Sequence, residues 1–292
     1  KWHLGWEWPR QSDDRTDIDF SKPIANGPIT RGFDYFFGII ASLDFPPYVY
    51  IGNDTPTAQP DRMTKGEGKR FWREGPTGAD FEHEDVLPTF TRKACEFIRG
   101  QAAAEQPFFL YFPLPSPHTP ILPTDRFLGT SGTNEYGDFC LLTDDCVGQV
   151  MQALDDAGVA DDTILVFTSD NGCSPAADFA ELEAAGHNPS YVFRGHKADI
   201  YEGGHRIPLL VRWPARMAAG TTSAETVCLC DLLATVSEIV DEPLPDTAGE
   251  DSVSNLPLWL GQDLDGPLRE ATVHHSINGS FSIRRGNWKL EF

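Results

Sequence analysis

The sequence predicts an α/β protein whose main sheet is parallel. Two apolar runs of strand length, residues 107–114 (PFFLYFPL) and 163–168 (TILVFT), flank a long helical pattern over 135–157. A strand, a helix and a strand at these lengths form a βαβ unit, in which the two strands are parallel and the crossover is right-handed. We therefore expect a mainly parallel sheet sandwiched by helices, followed by the start of a small C-terminal antiparallel sheet.

The elements of the first half follow in order. A helix is predicted over 84–99, where apolar side chains recur on one face. The strand over 107–114 leads into a loop in which three prolines surround His118. The helix over 135–157 has apolar or small residues three and four positions apart, and Gly158 supplies its stop.

The second half continues the α/β pattern. Residues 207–213 predict a further strand, and residues 224–240 predict a helix with leucine, valine and isoleucine on its inner face. An earlier segment, residues 53–78, is rich in glycine, proline and charge, which predicts a long surface excursion.

The C-terminal residues change in style. Two β-prone stretches, 272–277 and 281–284, flank an Asn-Gly pair at 278–279, which is a strong hairpin signal. We therefore expect an α/β domain over 1–265 and the beginning of a small β-rich domain over 266–292.

The charge of the chain limits its partners. Lys and Arg total 23 against 44 Asp and Glu, so the formal net charge is −21. This sign argues against nucleic acid or an anionic membrane surface as the main partner. No apolar run approaches the ~20 residues of a membrane helix, so no membrane segment is predicted. A small anionic substrate is compatible with this charge, because a pocket can oppose the sign of the whole molecule.

Polar side chains follow the predicted strands. His118 lies after the first strand, and Asp170 and Asn171 lie directly after the second. Ligands of open α/β sheets bind outside the carboxyl ends of the strands, so these three residues predict a site. The two neighbouring oxygen donors favour a hard cation, Ca²⁺ or Mg²⁺, which needs further carboxylates from elsewhere.

Each motif also has an ordinary structural interpretation. Asp-Asn-Gly is commonly just a turn, and a histidine among prolines is often a solvated loop residue. Lys197 could be an ordinary surface charge. Its neighbour His196 is expected to be exposed, so that its replacement would cost little activity. The Cys-Ser-Pro sequence at 173–175 hints at a nucleophile motif, but it follows the Asn-Gly turn and has no arginine two residues later, so we do not interpret it as one.

Taken together, six segments in order resemble the formylglycine-dependent sulfatases of the alkaline phosphatase superfamily. Five of them are 1–5 (KWHLG), 32–38 (GFDYFFG), 107–120, 168–172 (TSDNG) and 283–290 (IRRGNWKL). The sixth, before 283–290, consists of a lysine loop and the strand that follows it, at 194–197, 201–208 and 212–214. The resemblance runs from end to end and implies an alkaline phosphatase-like fold.

The resemblance implies catalytic and substrate-binding roles for matching residues. Lys1 and His3 would lie beside the nucleophile, with Lys1 also touching the sulfate. His118 and Lys197 would hold the sulfate oxygens. His118 would also give a proton to the leaving alcohol, a step for which a positioned acid suits the chemistry.

The resemblance also implies two cofactors. Asp170 and Asn171 would bind Ca²⁺, with Mg²⁺ as the alternative. The nucleophile would be a formylglycine made in a Cys-x-Pro-Ser-Arg motif, which this sequence lacks, as it lacks the family's N-terminal pair of metal-binding aspartates. Both would precede Lys1, so we expect an N-terminally truncated chain that is inactive by itself.

The implied activity is hydrolysis of sulfate esters, of the arylsulfatase type, with a sulfated small molecule or glycan as substrate. One alternative is a phosphodiesterase or phosphonate monoester hydrolase of the same superfamily. Another is a non-catalytic relative that binds glycans. The family implies a periplasmic, secreted or lysosomal location.

Overall fold

The chain forms two compact units. The computed structural model describes residues 1–14, 17–104 and 106–292. Unit 1 comprises residues 1–158 and 176–187, and unit 2 comprises residues 159–175 and 188–292. Short 3₁₀ helices lie at Pro28–Thr30, Gly68–Arg70, His83–Asp85 and Pro175–Ala177. Within the described ranges, none of the helices has the length and apolar character to cross a membrane.

The helices of unit 1 confirm two predictions. They are α1 (Val86–Ala102), α2 (Glu135–Asp156) and the short α3 (Phe179–Ala184). The side chain of Asn134 caps α2, because its Oδ1 accepts hydrogen bonds from the backbone of Tyr136 (3.1 Å) and Gly137 (3.2 Å). The apolar face of α1 is buried, as its three-and-four spacing predicts.

Unit 1 has five strands in the described residues, and the last three lie where the sequence predicts a surface excursion, over 53–78. The five strands are β1 (Phe37–Gly38), β2 (Ile51–Gly52), β3 (Thr55–Pro56), β4 (Pro60–Gly66) and β5 (Trp72–Gly78). The first three form one antiparallel sheet, and β4 and β5 form a hairpin. Much of the expected surface excursion over 53–78 is therefore a β-hairpin. Its glycines allow close packing: a Cβ on Gly75 would lie 2.2 Å from the Cβ of Pro46.

The apolar run over 107–114 does not form the expected strand. Phe109 and Tyr111 are 70% and 55% exposed, so the segment is not buried on both faces. The carbonyl of Pro113 accepts one hydrogen bond from the main-chain nitrogen of Lys1 (2.6 Å). A strand needs a ladder of such bonds, and the described residues give this run none. The βαβ unit built on it is therefore not formed as expected.

Unit 2 contains the next two predicted strands. They are β6 (Leu165–Thr168) and β7 (Leu209–Arg212), separated by the short helix α4 (Glu202–His205). The two strands pair antiparallel, with Leu165 opposite Arg212 and Thr168 opposite Leu209. All paired strands in the described residues are antiparallel, so the mainly parallel sheet is not found within either unit.

The helix predicted over 224–240 begins later, at Asp231. The structure has α5 at Asp231–Val240 and a short α6 at Leu256–Trp259. The fully buried Asp231 carboxylate accepts from the backbone of Cys228 (2.7 Å) and pairs with Arg269. The bond to Cys228 satisfies a backbone donor just ahead of α5 and holds the entering chain outside the helix.

The C-terminal hairpin is confirmed. Strands β8 (Thr272–His275), β9 (Phe281–Arg285) and β10 (Trp288–Glu291) form an antiparallel sheet in that order, which we call the C-terminal sheet. Gly279 has φ +82° in the turn between β8 and β9, a conformation that favours glycine.

Candidate active site

The turn after β6 carries two of the predicted site residues, Asp170 and Asn171. Its backbone is held by local side chains: the Ser169 hydroxyl donates to the carbonyl of Asn171 (2.9 Å), and the Thr168 hydroxyl donates to the carbonyl of Pro208 (2.8 Å). Asp170 is exposed and Asn171 is half-buried. The turn therefore keeps the Asp170 carboxylate open to a ligand.

Four glycines allow the backbone of this turn to pack closely against the backbone of residues 194–204. A Cβ on Gly172 would lie 1.8 Å from the carbonyl oxygen of Gly203. A Cβ on Gly203 would lie 2.1 Å from that of Gly195, and a Cβ on Gly204 would lie 2.3 Å from that of Asp199. No side chain fits at these positions. We call Gly172, Gly195, Gly203 and Gly204 the glycine cluster.

The loop at 194–201, which we call the lysine loop, is bonded directly to the turn. The backbone N–H of Lys197 donates to the carbonyl of Cys173 (2.8 Å), and that of Gly172 donates to the carbonyl of Gly204 (2.9 Å). The Arg194 guanidinium lies 3.6 Å from the centre of the Tyr201 ring. Asp170, Asn171 and Lys197 are thus carried by two adjoining segments of unit 2.

His196 has a side chain that is 43% exposed, and it is hydrogen-bonded within the lysine loop. It is half-buried, and its backbone N–H donates to the Asp199 carboxylate (2.9 Å). Its Nδ1–H donates to the carbonyl of Lys197 (2.9 Å), because a carbonyl can only accept. His196 therefore helps to shape the lysine loop.

The oxygen donors of the turn fit only part of a metal site. Ca²⁺ takes about 6–8 oxygen ligands, and Asp170 and Asn171 supply two side-chain donors. Across residues 1–14, 17–104 and 106–292, no group of three or more His, Cys, Asp or Glu side chains is placed to hold a metal ion. A complete coordination shell is therefore not assembled by the described residues.

In unit 1, the first residues are hydrogen-bonded to two other segments. The main-chain nitrogen of Lys1 donates to the carbonyl of Pro113 (2.6 Å), and the backbone N–H of His3 donates to the carbonyl of Ile40 (2.7 Å). Lys1 is half-buried and His3 is exposed. The segment that resembles the sulfatase signature therefore begins beside the stretch that leads to His118.

The ring of His3 is oriented by Ser42. Its Nδ1 lies 3.0 Å from the backbone nitrogen of Ser42, which can only donate. Nδ1 is therefore the acceptor, and the proton of the neutral ring lies on Nε2. His3 also has φ 62°, a left-handed conformation that is uncommon for a non-glycine residue. The ring accordingly presents an N–H donor from Nε2.

His118 has the opposite arrangement. Its Nδ1 lies 2.7 Å from the carbonyl oxygen of Thr119, which can only accept, so Nδ1 carries a proton. A second proton on Nε2 leaves this hydrogen bond intact. His118 can therefore take up and release a proton at Nε2 without changing its orientation, as a general acid must.

The predicted residues thus fall into two groups. Unit 1 carries Lys1, His3 and His118, and unit 2 carries Asp170, Asn171 and Lys197. Within unit 2 the lysine loop is hydrogen-bonded to the turn that bears Asp170 and Asn171. The clustering of all these residues in one pocket stays a prediction.

Sequence reasoning missed a group of charged residues behind the lysine loop. Glu202 begins α4, and its Oε1 pairs with Arg284 (2.6 Å), Lys289 (3.4 Å) and His205 (3.4 Å). The ring of His205 stacks on that of His274, with centroids 4.0 Å apart. We call these five residues the ion-pair cluster.

The charges in this cluster are fixed by its cations. Burial would raise the pKa of Glu202, but Arg284 and Lys289 hold it at about 2. Burial and the neighbouring His205 lower the pKa of His274 to about 4, and burial and Lys289 lower the pKa of His205. At neutral pH the Glu202 carboxylate therefore pairs with two partly buried cations, Arg284 and Lys289, and with the exposed Arg206 at 3.5 Å. The available signal was that Glu202, Arg284 and Lys289 all lie inside segments of the sulfatase resemblance.

Comparison with known proteins gives these residues a context. The sulfatase family model matches residues 1–242. An N-acetylgalactosamine-6-O-sulfatase of Bacteroides thetaiotaomicron is 32% identical over 99% of this chain and 62% of its own length. The N-acetylgalactosamine-6-sulfatase of Mus musculus is 32% identical over 99% of this chain and 50% of its own length. The chain thus spans only part of these relatives.

Solved structures agree with this relationship. One from work on the metabolism of glycosaminoglycans by Bacteroides thetaiotaomicron has a TM-score of 0.83 at 31% identity, covering 99% of this chain and 66% of that chain. A sulfatase from Pseudoalteromonas sp. has a TM-score of 0.61 at 24% identity, covering 72% and 41%, which reports the fold alone. The chain therefore belongs to the sulfatase family, within the alkaline phosphatase superfamily.

Proposed function

We propose that the natural protein that carries this chain hydrolyses sulfate esters, and that this chain provides residues that bind the sulfate and release the alcohol. The observation that carries the proposal is the bond between Lys197 and Cys173, which fixes a cationic loop to the turn bearing Asp170 and Asn171. A loop that carries a cation, next to a turn that carries a carboxylate and an amide oxygen, suits an anionic sulfate ester together with a divalent metal ion.

Lys197 supports the transfer step by its charge. When the S–O bond of a sulfate ester breaks, negative charge on the sulfuryl oxygens and the leaving oxygen must be stabilised. A pre-positioned ammonium provides this without reorganisation, and the glycine cluster keeps the lysine loop rigid. Lys1 would add a second cation to the same sulfate.

His118 supports departure of the alcohol. The proton on its Nε2 would pass to the leaving oxygen as the S–O bond breaks, while Nδ1–H stays on the Thr119 carbonyl. His3 would act as a neutral donor through Nε2–H, since its Nδ1 accepts from Ser42. The two histidines thus have different proposed tasks.

Asp170 and Asn171 are the donors that this chain would offer to Ca²⁺ or Mg²⁺. Such an ion would supply positive charge beside the sulfate oxygens. Two donors alone give a weak site, so the proposal includes further oxygen ligands from outside these two residues.

The substrate class follows from the relatives. Both matched relatives are named for N-acetylgalactosamine 6-sulfate. We propose a 6-sulfated amino sugar within a sulfated glycan as the substrate. The net charge of −21 gives no general attraction for a polyanion, so recognition rests on the local cations Lys1 and Lys197.

The test is a comparison of ester classes on the purified natural protein. Release of inorganic sulfate from N-acetylgalactosamine 6-sulfate and from an aryl sulfate is measured beside hydrolysis of an aryl phosphodiester and an aryl phosphonate monoester. Preference for the sulfate esters supports the proposal. Faster turnover of the phosphorus esters, or turnover of none with binding of intact glycan, overturns it in favour of the two alternatives.

A further inference from the structure

The lysine loop is held from behind by the C-terminal sheet. The backbone N–H of Ile277, in the turn between β8 and β9, donates to the carbonyl of Ala198 (3.1 Å). The Lys289 ammonium donates to the carbonyl of Ile200. Two carbonyls of the loop thus accept hydrogen bonds from residues of the C-terminal sheet and its turn. The backbone N–H of Lys197 instead donates to Cys173, which precedes the loop in sequence.

The loop needs such support because its backbone is strained. Ala198, directly after Lys197, has φ 81°. A non-glycine residue rarely adopts this region, and it persists only where the surroundings determine it. The strain is therefore maintained by the contacts on both sides of the loop.

Glu202 is the anion that pairs with the cations of the C-terminal sheet, one of which contacts the lysine loop. Its side chain is 22% exposed, and it faces Arg284 (19% exposed) and Lys289 (12% exposed) from the first position of α4. With the carboxylate neutralised, these two cations face each other with no anion of the ion-pair cluster between them. Arg284 and Lys289 would then repel, and Lys289 would lose a partner that holds it beside Ile200.

We propose that Glu202 is a positioning residue for Lys197: by drawing Arg284 and Lys289 together, it holds the lysine loop in the strained conformation that places Lys197 at the Asp170–Asn171 turn. The inference rests on the proposed function, in which Lys197 binds the sulfate. Glu202 itself is not a catalytic residue in this arrangement.

The first test measures the loop without reference to activity. Amide hydrogen exchange is followed by mass spectrometry on the full chain and on its Glu202→Gln, Glu202→Asp and Glu270→Gln variants. Glu270 is a matched control because its ion pair with Arg285 is exposed (79% and 75%). We expect Glu202→Gln to speed exchange over 194–204 at least tenfold, with β6 unchanged, and Glu270→Gln to have no effect.

Two outcomes of this test decide the inference. Exchange over 194–204 within twofold of the unsubstituted chain in folded Glu202→Gln overturns it. If Glu202→Gln does not fold, Arg284→Lys keeps the charge and removes the guanidinium contact. Faster exchange confined to the loop in that variant supports the inference, and unchanged exchange overturns it.

The second test asks whether Glu202 acts through Lys197. In the natural protein, Glu202→Gln should lower kcat at least tenfold, and Glu202→Asp should restore part of the loss. In a Lys197→Ala background the further effect of Glu202→Gln should fall below threefold, because the positioned group is gone. Full additivity of the two substitutions would mean that Glu202 has only a general structural role.

The two tests separate this inference from the proposed function. If the natural protein turns over no sulfate ester, the proposed function fails while hydrogen exchange still reports on the loop. If it turns over sulfate esters and the loop is insensitive to Glu202, only the positioning inference fails.

Discussion

Lys197 donates its backbone N–H to the carbonyl of Cys173 at 2.8 Å, although the two residues are well separated in sequence. This bond fixes the peptide of the proposed sulfate-binding lysine, and the side chain then has few bonds left to order. A cation placed in this way needs little reorganisation when charge develops on a substrate.

Replacing Lys197 by Ala should lower kcat for sulfate esters by roughly 10²–10³, by analogy with the loss of one pre-positioned donor in an oxyanion hole. Steady-state kinetics of the natural protein measure this. Lys65→Ala is the control, because Lys65 is 63% exposed and pairs with the exposed Glu67. Equal, small effects of the two changes would show that Lys197 is a surface charge.

Gly172→Ala should unfold or strongly destabilise unit 2. Its Cβ would lie 1.8 Å from the carbonyl oxygen of Gly203, so backbone must move. Gly148 in α2 is the matched control: a Cβ there meets nothing within 4 Å, and Gly148→Ala should stabilise by about 1 kcal/mol through helix propensity. Urea unfolding of both variants checks the pair. A Gly172→Ala protein of unchanged stability would contradict the packing of the glycine cluster.

His118→Ala should affect poor leaving groups most. A general acid typically contributes 10²–10⁴-fold when the leaving alkoxide is basic, and far less when it is a stable phenolate. Rates on an alkyl sulfate and on a nitrophenyl sulfate, measured for the natural protein and the variant, give the ratio. His187, which is exposed, serves as the control histidine. The same loss on both substrates would exclude proton donation by His118.

Unit 1 should lose stability in acid through His83. This residue is buried, stacks on Trp72 with centroids 3.9 Å apart, and has its pKa lowered to about 4 by burial and by Arg62. Because the folded pKa lies below the unfolded value, the stabilisation is complete above about pH 6.5 and is lost as the pH falls towards 4.

The loss through His83 amounts to about 2–3 kcal/mol. Thermal unfolding of His83→Phe at pH 7, 5.5 and 4 measures it, since phenylalanine keeps the aromatic packing and cannot take up a proton. The variant should show a shallower dependence on pH than the natural sequence. A parallel dependence in both proteins would mean that other groups control acid unfolding.

Helices were predictable because their signals are local. The periodicity and the stops of α1 and α2 lie within the helices themselves, and both formed close to the expected bounds. The segment 107–114 has an equally clear apolar pattern, but a strand also requires a neighbour, which no local pattern specifies. The composition of the segment 53–78 did not specify β4 and β5, because its glycines permit the close packing of a hairpin as well as loops.

The site was predictable only where motifs carried it. Asp170 and Asn171 were predicted from their place after a strand, Lys197 was predicted only from the resemblance, and the structure bonds the loop of Lys197 to their turn. The ion-pair cluster joins Glu202 to Arg284 and Lys289 across distant parts of the sequence. Nothing in the local pattern of a charged residue distinguishes a buried ion pair from a solvated surface, so only the tertiary structure revealed it.

The glycine cluster also limits how this protein can diverge. Any single-base change in a glycine codon that alters the residue adds at least one carbon atom, and at Gly172, Gly203 and Gly204 that atom would overlap a backbone oxygen. We therefore expect substitutions at these three glycines to be poorly tolerated, whatever ester the protein hydrolyses. New substrate preferences must arise at tolerant positions nearby, such as the exposed Tyr191 and Val192.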